Sequence, residues 1–150
     1  MKRIIPFALG AVALVVVASC TTVVAEVPSG FARYDDTQAV RGVSPEDAVF
    51  RVRDAANDPE KDLSFWAVAL ENHLTEGGYL MRDQGEFVSQ AGDGRFFEWV
   101  APAGDEDWVY ITAIVVAGDR LLVAEAAAPV DEYDRRREAI RESLATIDRS

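Results

Sequence analysis

The chain has 150 residues, 26 of them Asp or Glu and 15 Lys or Arg, for a net charge of −11. An acidic surface of this kind repels nucleic acid and bare anionic lipid, which excludes charge-driven binding to either. Cys20 is the single cysteine, so no internal disulfide can staple the fold, and the length suits one ordinary domain with one core.

The chain opens with Met1-Lys2-Arg3, an uncharged apolar run from Ile4 to Ala18, and then Val17-Ala18-Ser19-Cys20. A positive start, an apolar stretch and small residues before a processing point mark a secretory signal. The last four residues resemble a bacterial lipobox, in which signal peptidase II cuts between Ser19 and Cys20 and lipid is attached to the cysteine sulfur. The resemblance implies loss of residues 1–19 and a lipidated Cys20 carrying a diacylglycerol thioether and an amide-linked acyl chain. Such chains anchor stably, because each buried methylene contributes about 0.8 kcal/mol. Cleavage there leaves 131 residues and removes two positive charges and no acids, which takes the net charge from −11 to −13. Two rival readings stay open. Val23-Val24-Ala25 also suits cleavage after Ala25, and Ile4 to Ala25 is long enough to stay as an uncleaved span, for which about 20 residues suffice. All three put the following domain outside the cytoplasm, since Lys2 and Arg3 favour the inside. Thr21 in place of Asp after the cysteine resembles the outer-membrane sorting pattern of enteric-type bacteria.

Residues 20–30 read as the lipidated cysteine and a tether, closed by Pro28-Ser29-Gly30, and residues 31–150 as a single domain. Strand patterns follow at 31–34, 38–43 and 48–53. In the last of these Phe50 and Val52 alternate with Arg51 and Arg53. Ser44-Pro45-Glu46-Asp47 between them is read as a hairpin turn in preference to a helix start. Asp58-Pro59-Glu60 offers a cap, a proline at the first helical position and early acids, and Leu63, Trp66, Leu70 and Leu74 recur at helical spacing. Gly77-Gly78 ends that helix. Residues 79–128 read as a four-strand meander over 79–89, 95–101, 108–116 and 120–127, with glycine-bearing turns between. Residues 110–116 are apolar on both faces, which predicts a strand in the middle of a covered sheet. Pro129 precedes a closing helix over 131–147, with Tyr133, Ile140, Leu144 and Ile147 on one face.

The expected fold class is therefore α+β, an antiparallel sheet of six to seven strands covered by two amphipathic helices in the order β-β-β-α-β-β-β-β-α. The stretch from Leu63-Ser64-Phe65-Trp66 through Gly78-Tyr79, followed by Tyr110-Ile111-Thr112-Ala113-Ile114 and Val123-Ala124-Glu125-Ala126, resembles uncharacterised bacterial lipoproteins with the PsbP-type α/β/α sandwich. That fold is also found in photosystem extrinsic subunits and a Ran-binding import factor. The resemblance spans residues 31–148 in pattern and order, and no functional residues carry over from it.

Chemistry is sparse outside Cys20. His73 is the one histidine and lies beside the apolar stripe of the first helix, where a boundary histidine is the plainer reading than a ligand or base. With no second histidine and no free cysteine, a usual zinc site lacks donors, and no Gly-x-Ser-x-Gly elbow nominates a serine. Asp105-Glu106-Asp107 offers oxygen ligands to calcium, but without loop spacing a solvated turn is preferred. Arg135-Arg136-Arg137 is flanked by Asp131, Glu132, Asp134 and Glu138 and is expected to pair within its helix. Phe97 and Trp99 on one side of a strand, with Trp108 at the start of the next, are nominated as an aromatic contact patch. The expectation is a non-enzymatic, lipid-anchored envelope protein without cofactor, metal or nucleic acid, whose partners are the membrane and another envelope protein. A small-ligand binder, or an enzyme of unknown class, is the alternative.

Overall fold

A computed structural model describes residues 22–34 and 38–150, and of residues 102 and 103 the backbone alone. Ser19, Cys20 and the apolar run before them lie outside the described residues. In chain order the elements are β1 (Val23–Val24), β2 (Ala32–Tyr34), β3 (Ala39–Val43), β4 (Val49–Ala56), α1 (Leu63–Glu76), β5 (Leu80–Ser89), β6 (Gly92–Ala103), β7 (Glu106–Ala117), β8 (Arg120–Pro129), α2 (Val130–Leu144) and β9 (Asp148–Arg149). Seven of the strands form one antiparallel sheet in the order β2-β3-β4-β8-β7-β6-β5, while β1 and β9 pair by themselves. One helix lies on each face, which makes the α/β/α sandwich expected from the sequence.

Strand alternation builds the two interiors. Along β4 the buried Phe50 and Val52 face α2, and the half-exposed Arg51 and Arg53 point the other way, as a period of two requires. The α2 side gathers Val109, Ile111, Ala113 and Val115 of β7, Leu122, Ala124, Ala126 and Ala128 of β8, and Tyr133, Ile140, Leu144 and Ile147. Fully burying a side chain the size of Ile140 or Leu144 is worth roughly 1.5–3 kcal/mol. β7 lies between β6 and β8 and is buried on both faces over residues 111–115, which is why it carries no alternation. A smaller interior on the other face holds Ala67 and Leu74 of α1 against Phe97 and Trp99, both nearly without exposed surface.

Turn chemistry matches the sequence signals closely. Ser44 and Ala48 close the β3–β4 loop through Ser44 N–H to Ala48 O (2.9 Å) and Ala48 N–H to Ser44 Oγ (3.1 Å), which confirms the hairpin over a helix start. Gly77 caps α1, and Gly78 follows with φ 87°, a left-handed value that glycine alone adopts without strain.

The closing helix ends at Leu144 and not at Ile147, β6 starts at Gly92, and two further departures change how the fold is read. The first helix starts at Leu63, with Asp62 rather than Asp58 as its cap; the Asp62 carboxylate accepts from Phe65 N–H at 2.9 Å. The buried Asn57 explains this. Its amide donates to Lys61 O and Gly118 O and accepts from Lys61 N–H, so residues 58–61 are held as a loop. Trp66 joins this knot through Nε1 to Asn57 Oδ1 at 2.7 Å, instead of burying in the stripe.

The second correction concerns residues 22–30, which are part of the fold and not a tether. Val23 and Ala25 are buried in the α2-side core, 5% and 3% exposed, and β1 pairs with the C-terminal β9. Ser150 N–H and Oγ both donate to Thr22 O across 128 positions of sequence. A two-residue strand whose partner is that distant leaves no local signal.

Candidate functional site

α1 packs on β6 and β7, so it covers only one half of its face of the sheet. On the other half, strand register brings Tyr34 of β2, Arg41 of β3, Arg51 of β4 and Glu125 of β8 into one cross-strand row that ends at Thr112 of β7. The neighbouring row holds Val43, Val49, Ala127 and Tyr110. Together these rows shape a hollow of about 300 Å³ lined by Tyr34, Arg41, Val49, Arg51, Tyr110 and Glu125. Tyr34 and Val49 are 45% and 44% exposed at its rim.

Glu125 organises the hollow. Its Oε1 accepts from Tyr110 OH at 2.6 Å, its Oε2 accepts from Arg51 Nε at 2.9 Å, and Arg53 Nε stands 3.6 Å from Oε2. Burial works against its charge, but the Tyr110 hydrogen bond and the Arg51 guanidinium outweigh it and hold the carboxyl below its usual range. For Tyr110, burial and then the Glu125 carboxylate push the phenol far up, so it is a fixed donor at neutral pH. The cluster thus presents a permanent carboxylate, a permanent phenol and guanidinium groups. It suits recognition of an anion by charge-assisted hydrogen bonds, not proton transfer near pH 7.

The opposite face holds a closed counterpart. Glu98 of β6, with no exposed surface, accepts from Tyr133 OH (2.9 Å), from Arg137 (Nε 3.0 Å, Nη2 2.9 Å) and from Arg141 (Nε 3.1 Å, Nη2 2.7 Å). Asp83 of β5 takes a second bond from each arginine, at 2.8 and 2.7 Å. The Arg141 guanidinium also lies 4.4 Å from the Phe96 ring centroid. Two acids and two arginines balance here, and the cluster fastens α2 to the sheet. The expected pairing of the arginine run inside its helix holds for Arg135 and Arg136, both on Glu132, with Arg136 also reaching Glu46. Arg137 departs from it, because its position on the helix aims it at the sheet.

The nominated aromatic patch is corrected. Phe97 is 1% exposed and Trp99 has no exposed surface. Both sit beneath α1, where Trp99 Nε1 donates to Thr112 Oγ1 at 3.2 Å. Register puts Trp108 on the same face as Trp99, opposite Ala101 and Pro129, but it is half-buried near the start of β7 and neither Phe97 nor Trp99 is exposed to join it in a surface patch. Phe96 on the other face is buried too, so a helix on each side leaves neither set of aromatics free. His73 is exposed near the end of α1, and Asp105, Glu106 and Asp107 are exposed at the β6–β7 hairpin. Among the described residues no three His, Cys, Asp or Glu side chains converge as metal ligands. The alternation of Arg51 and Arg53 in β4 was the one sequence signal for the hollow, and it carried no indication of Glu125 or Tyr110.

No family model matches the chain, and no curated protein matches it at a significant level. Solved structures do. LpqN of Mycobacterium tuberculosis, described as involved in cell envelope biogenesis, superposes with a TM-score of 0.61 at 12% identity, covering 87% of this chain and 84% of its own. The Pseudomonas aeruginosa protein PA94, of unknown function, gives 0.56 at 9% identity over 77% and 94%. The PsbP of the cyanobacterium Synechocystis gives 0.54 at 8% identity over 95% and 97%. At these identities the likeness is one of fold, and the fold is PsbP-like.

Proposed function

We propose that this protein is a lipid-anchored, non-catalytic component of a bacterial cell envelope that binds another component at the same membrane. The burial of Val23 and Ala25 carries the reading. A cut after Ala25 would strip β1 and its two buried residues from the core, and an uncleaved span reaching Ala25 would have to pull them out of it. A cut before Cys20 keeps both in place, and it is the cut the lipobox resemblance implies. The envelope-biogenesis role given for LpqN supports the same setting, and Thr21 after the cysteine supports the outer membrane as the destination.

Anchoring at Cys20 also narrows the partner. Only Thr21 and Thr22 separate Cys20 from Val23, and the three residue steps of a fully extended chain span at most about 10–11 Å. A domain held so closely works on components of its own leaflet or directly beside it. Intact-mass measurement of the protein from its native envelope, with and without Cys20→Ser, tests the anchor: a lipid-sized increment that vanishes in the variant is expected, and an unlipidated chain starting at Glu26 overturns it. Crosslinking in cells should then recover one reproducible envelope partner from the wild type and lose it in Cys20→Ser.

A further inference from the structure

We propose that the hollow on the uncovered half of the sheet binds a small organic carboxylate, with its anionic end on Arg51 and Arg53 and its apolar body against Tyr34 and Val49. The proposal deepens the binding role above and is independent of the lipid anchor.

Charge is the first argument. Arg41, Arg51 and Glu125 are the charged side chains that line the hollow among the described residues, and Arg53 on the same face of β4 stands beside it, its Nε 3.6 Å from Glu125 Oε2, in a protein whose net charge is −11. One carboxylate, Glu125, serves both Arg51 and Arg53 through a single oxygen. Its other oxygen is taken by Tyr110. Both arginine side chains remain 40% exposed, so the bond to Glu125 encloses neither guanidinium. Planar guanidinium groups match a carboxylate in paired hydrogen bonds, which selects that anion by shape as well as charge.

Shape is the second argument. About 300 Å³ is the lower end of the range for small-molecule sites. The walls mix the apolar Val49 and Ala127 with the ring of Tyr34, so a body with an apolar face is favoured over a bare ion. The acidic surface elsewhere does not forbid an anion here. Screening cuts its field within about 8 Å at physiological salt, whereas the contact with arginine is direct.

The test uses the full mature chain in detergent micelles, followed by nuclear magnetic resonance of the backbone amides and arginine Nε–Hε groups. Sodium benzoate is the probe, with benzyl alcohol and sodium chloride of equal ionic strength as controls. Benzoate should give saturable shifts at Tyr34, Val49, Arg51 and Arg53 that neither control reproduces. Arg53→Gln should weaken binding about tenfold, as loss of a charge-assisted contact does. Glu125→Gln should tighten it, because the carboxylate competing for both guanidinium groups is gone, and unchanged shifts in the α2-side core would show that this variant keeps its fold. Equal responses to benzoate and benzyl alcohol, an indifferent Arg53→Gln, or a folded Glu125→Gln that binds more weakly would each overturn the proposal.

Discussion

Glu98 and Glu125 show how one residue type serves opposite ends at the scale of the side chain. Each accepts from a tyrosine and from arginine, yet Glu98 has no exposed surface and Glu125 lies at the wall of an open hollow. Burial and the Glu98 charge push the Tyr133 phenol far above its normal range, so it stays a donor at neutral pH. Glu98 is fully buried, but Arg137, Arg141 and Asp83 are each a third or more exposed and both arginines keep Asp83, so removing Glu98 costs less than breaking a fully buried pair, about 1–3 kcal/mol as for lost hydrogen bonds. Glu98→Ala is therefore expected to lower the unfolding free energy from urea denaturation by an amount of that order, because Arg137, Arg141 and the Tyr133 hydroxyl all lose an acceptor. Arg137→Ala should cost distinctly less, since Arg141 still reaches both Glu98 and Asp83. A smaller loss for Glu98→Ala than for Arg137→Ala would refute the clamp.

At the scale of elements, the β5–β6 hairpin shows how glycine and aromatic residues fit each other across strands. Register sets Phe87 opposite Gly94 and Phe96 opposite Gly85, and each ring occupies the space a side chain on the glycine would take. A Cβ at Gly94 would stand 2.4 Å from the Phe87 ring, and one at Gly85 would stand 2.8 Å from the Phe96 ring. The distances alone rank Gly94→Ala as the worse change. Freedom of the rings reverses that order. Phe87 is only partly buried and so has more room to give, whereas Phe96 is buried with Arg141 over its face. Gly85→Ala is expected to cost about 1–3 kcal/mol, as overpacking does, and Gly94→Ala less. Paired urea denaturation curves would show it, and the reverse ranking would place the rigidity elsewhere. β5 is also an edge of the main sheet, and the irregularity between Met81 and Asp83 frees Arg82 to pair with Asp134 of α2. A bulge and charges on an edge strand discourage pairing with a second chain.

At the scale of the whole molecule, the chain ends complete the fold. A protein starting at Glu26 lacks the buried Val23 and Ala25 and the β1–β9 pair, and it should lose at least about 1.5 kcal/mol relative to one starting at Thr21, the value of burying a valine. Equal thermal midpoints for the two would mean that β1 adds nothing. Acid response is a second global property. Asp83, Glu125 and Glu132 all sit below the usual carboxylate range in the folded protein: hydrogen bonds from arginine lead for Asp83 and Glu132, while for Glu125 the Tyr110 and Arg51 bonds overcome burial. A carboxyl lowered by folding contributes stability that is complete above its unfolded-state value, near pH 4, and is lost as pH falls through the folded value. Stability should therefore be flat from neutral pH to about pH 5 and fall steadily below about pH 4. A decline that begins above pH 6 would point to groups other than these.

Much of the architecture was legible in the sequence, because helix stripes, strand alternation and glycine-bearing turns are local patterns that act over a few residues. They place seven strands and two helices in order and predict that β7 lies covered in the middle of the sheet. The pattern read as a processing signal ending at Cys20 is local in the same way. What only the tertiary structure decided are the meetings between distant segments. Arg51 finds Glu125 74 positions away, Glu98 finds Arg137 and Arg141 39 and 43 positions away, and Thr22 meets Ser150 at the far end of the chain. The aromatic strand was misjudged for the same reason: alternation assigns Phe97 and Trp99 to one face, but whether a helix covers that face depends on where α1 docks. The docking of α1 over β6 and β7, and not over β4 and β8, buries the aromatics and leaves the arginine row open to solvent.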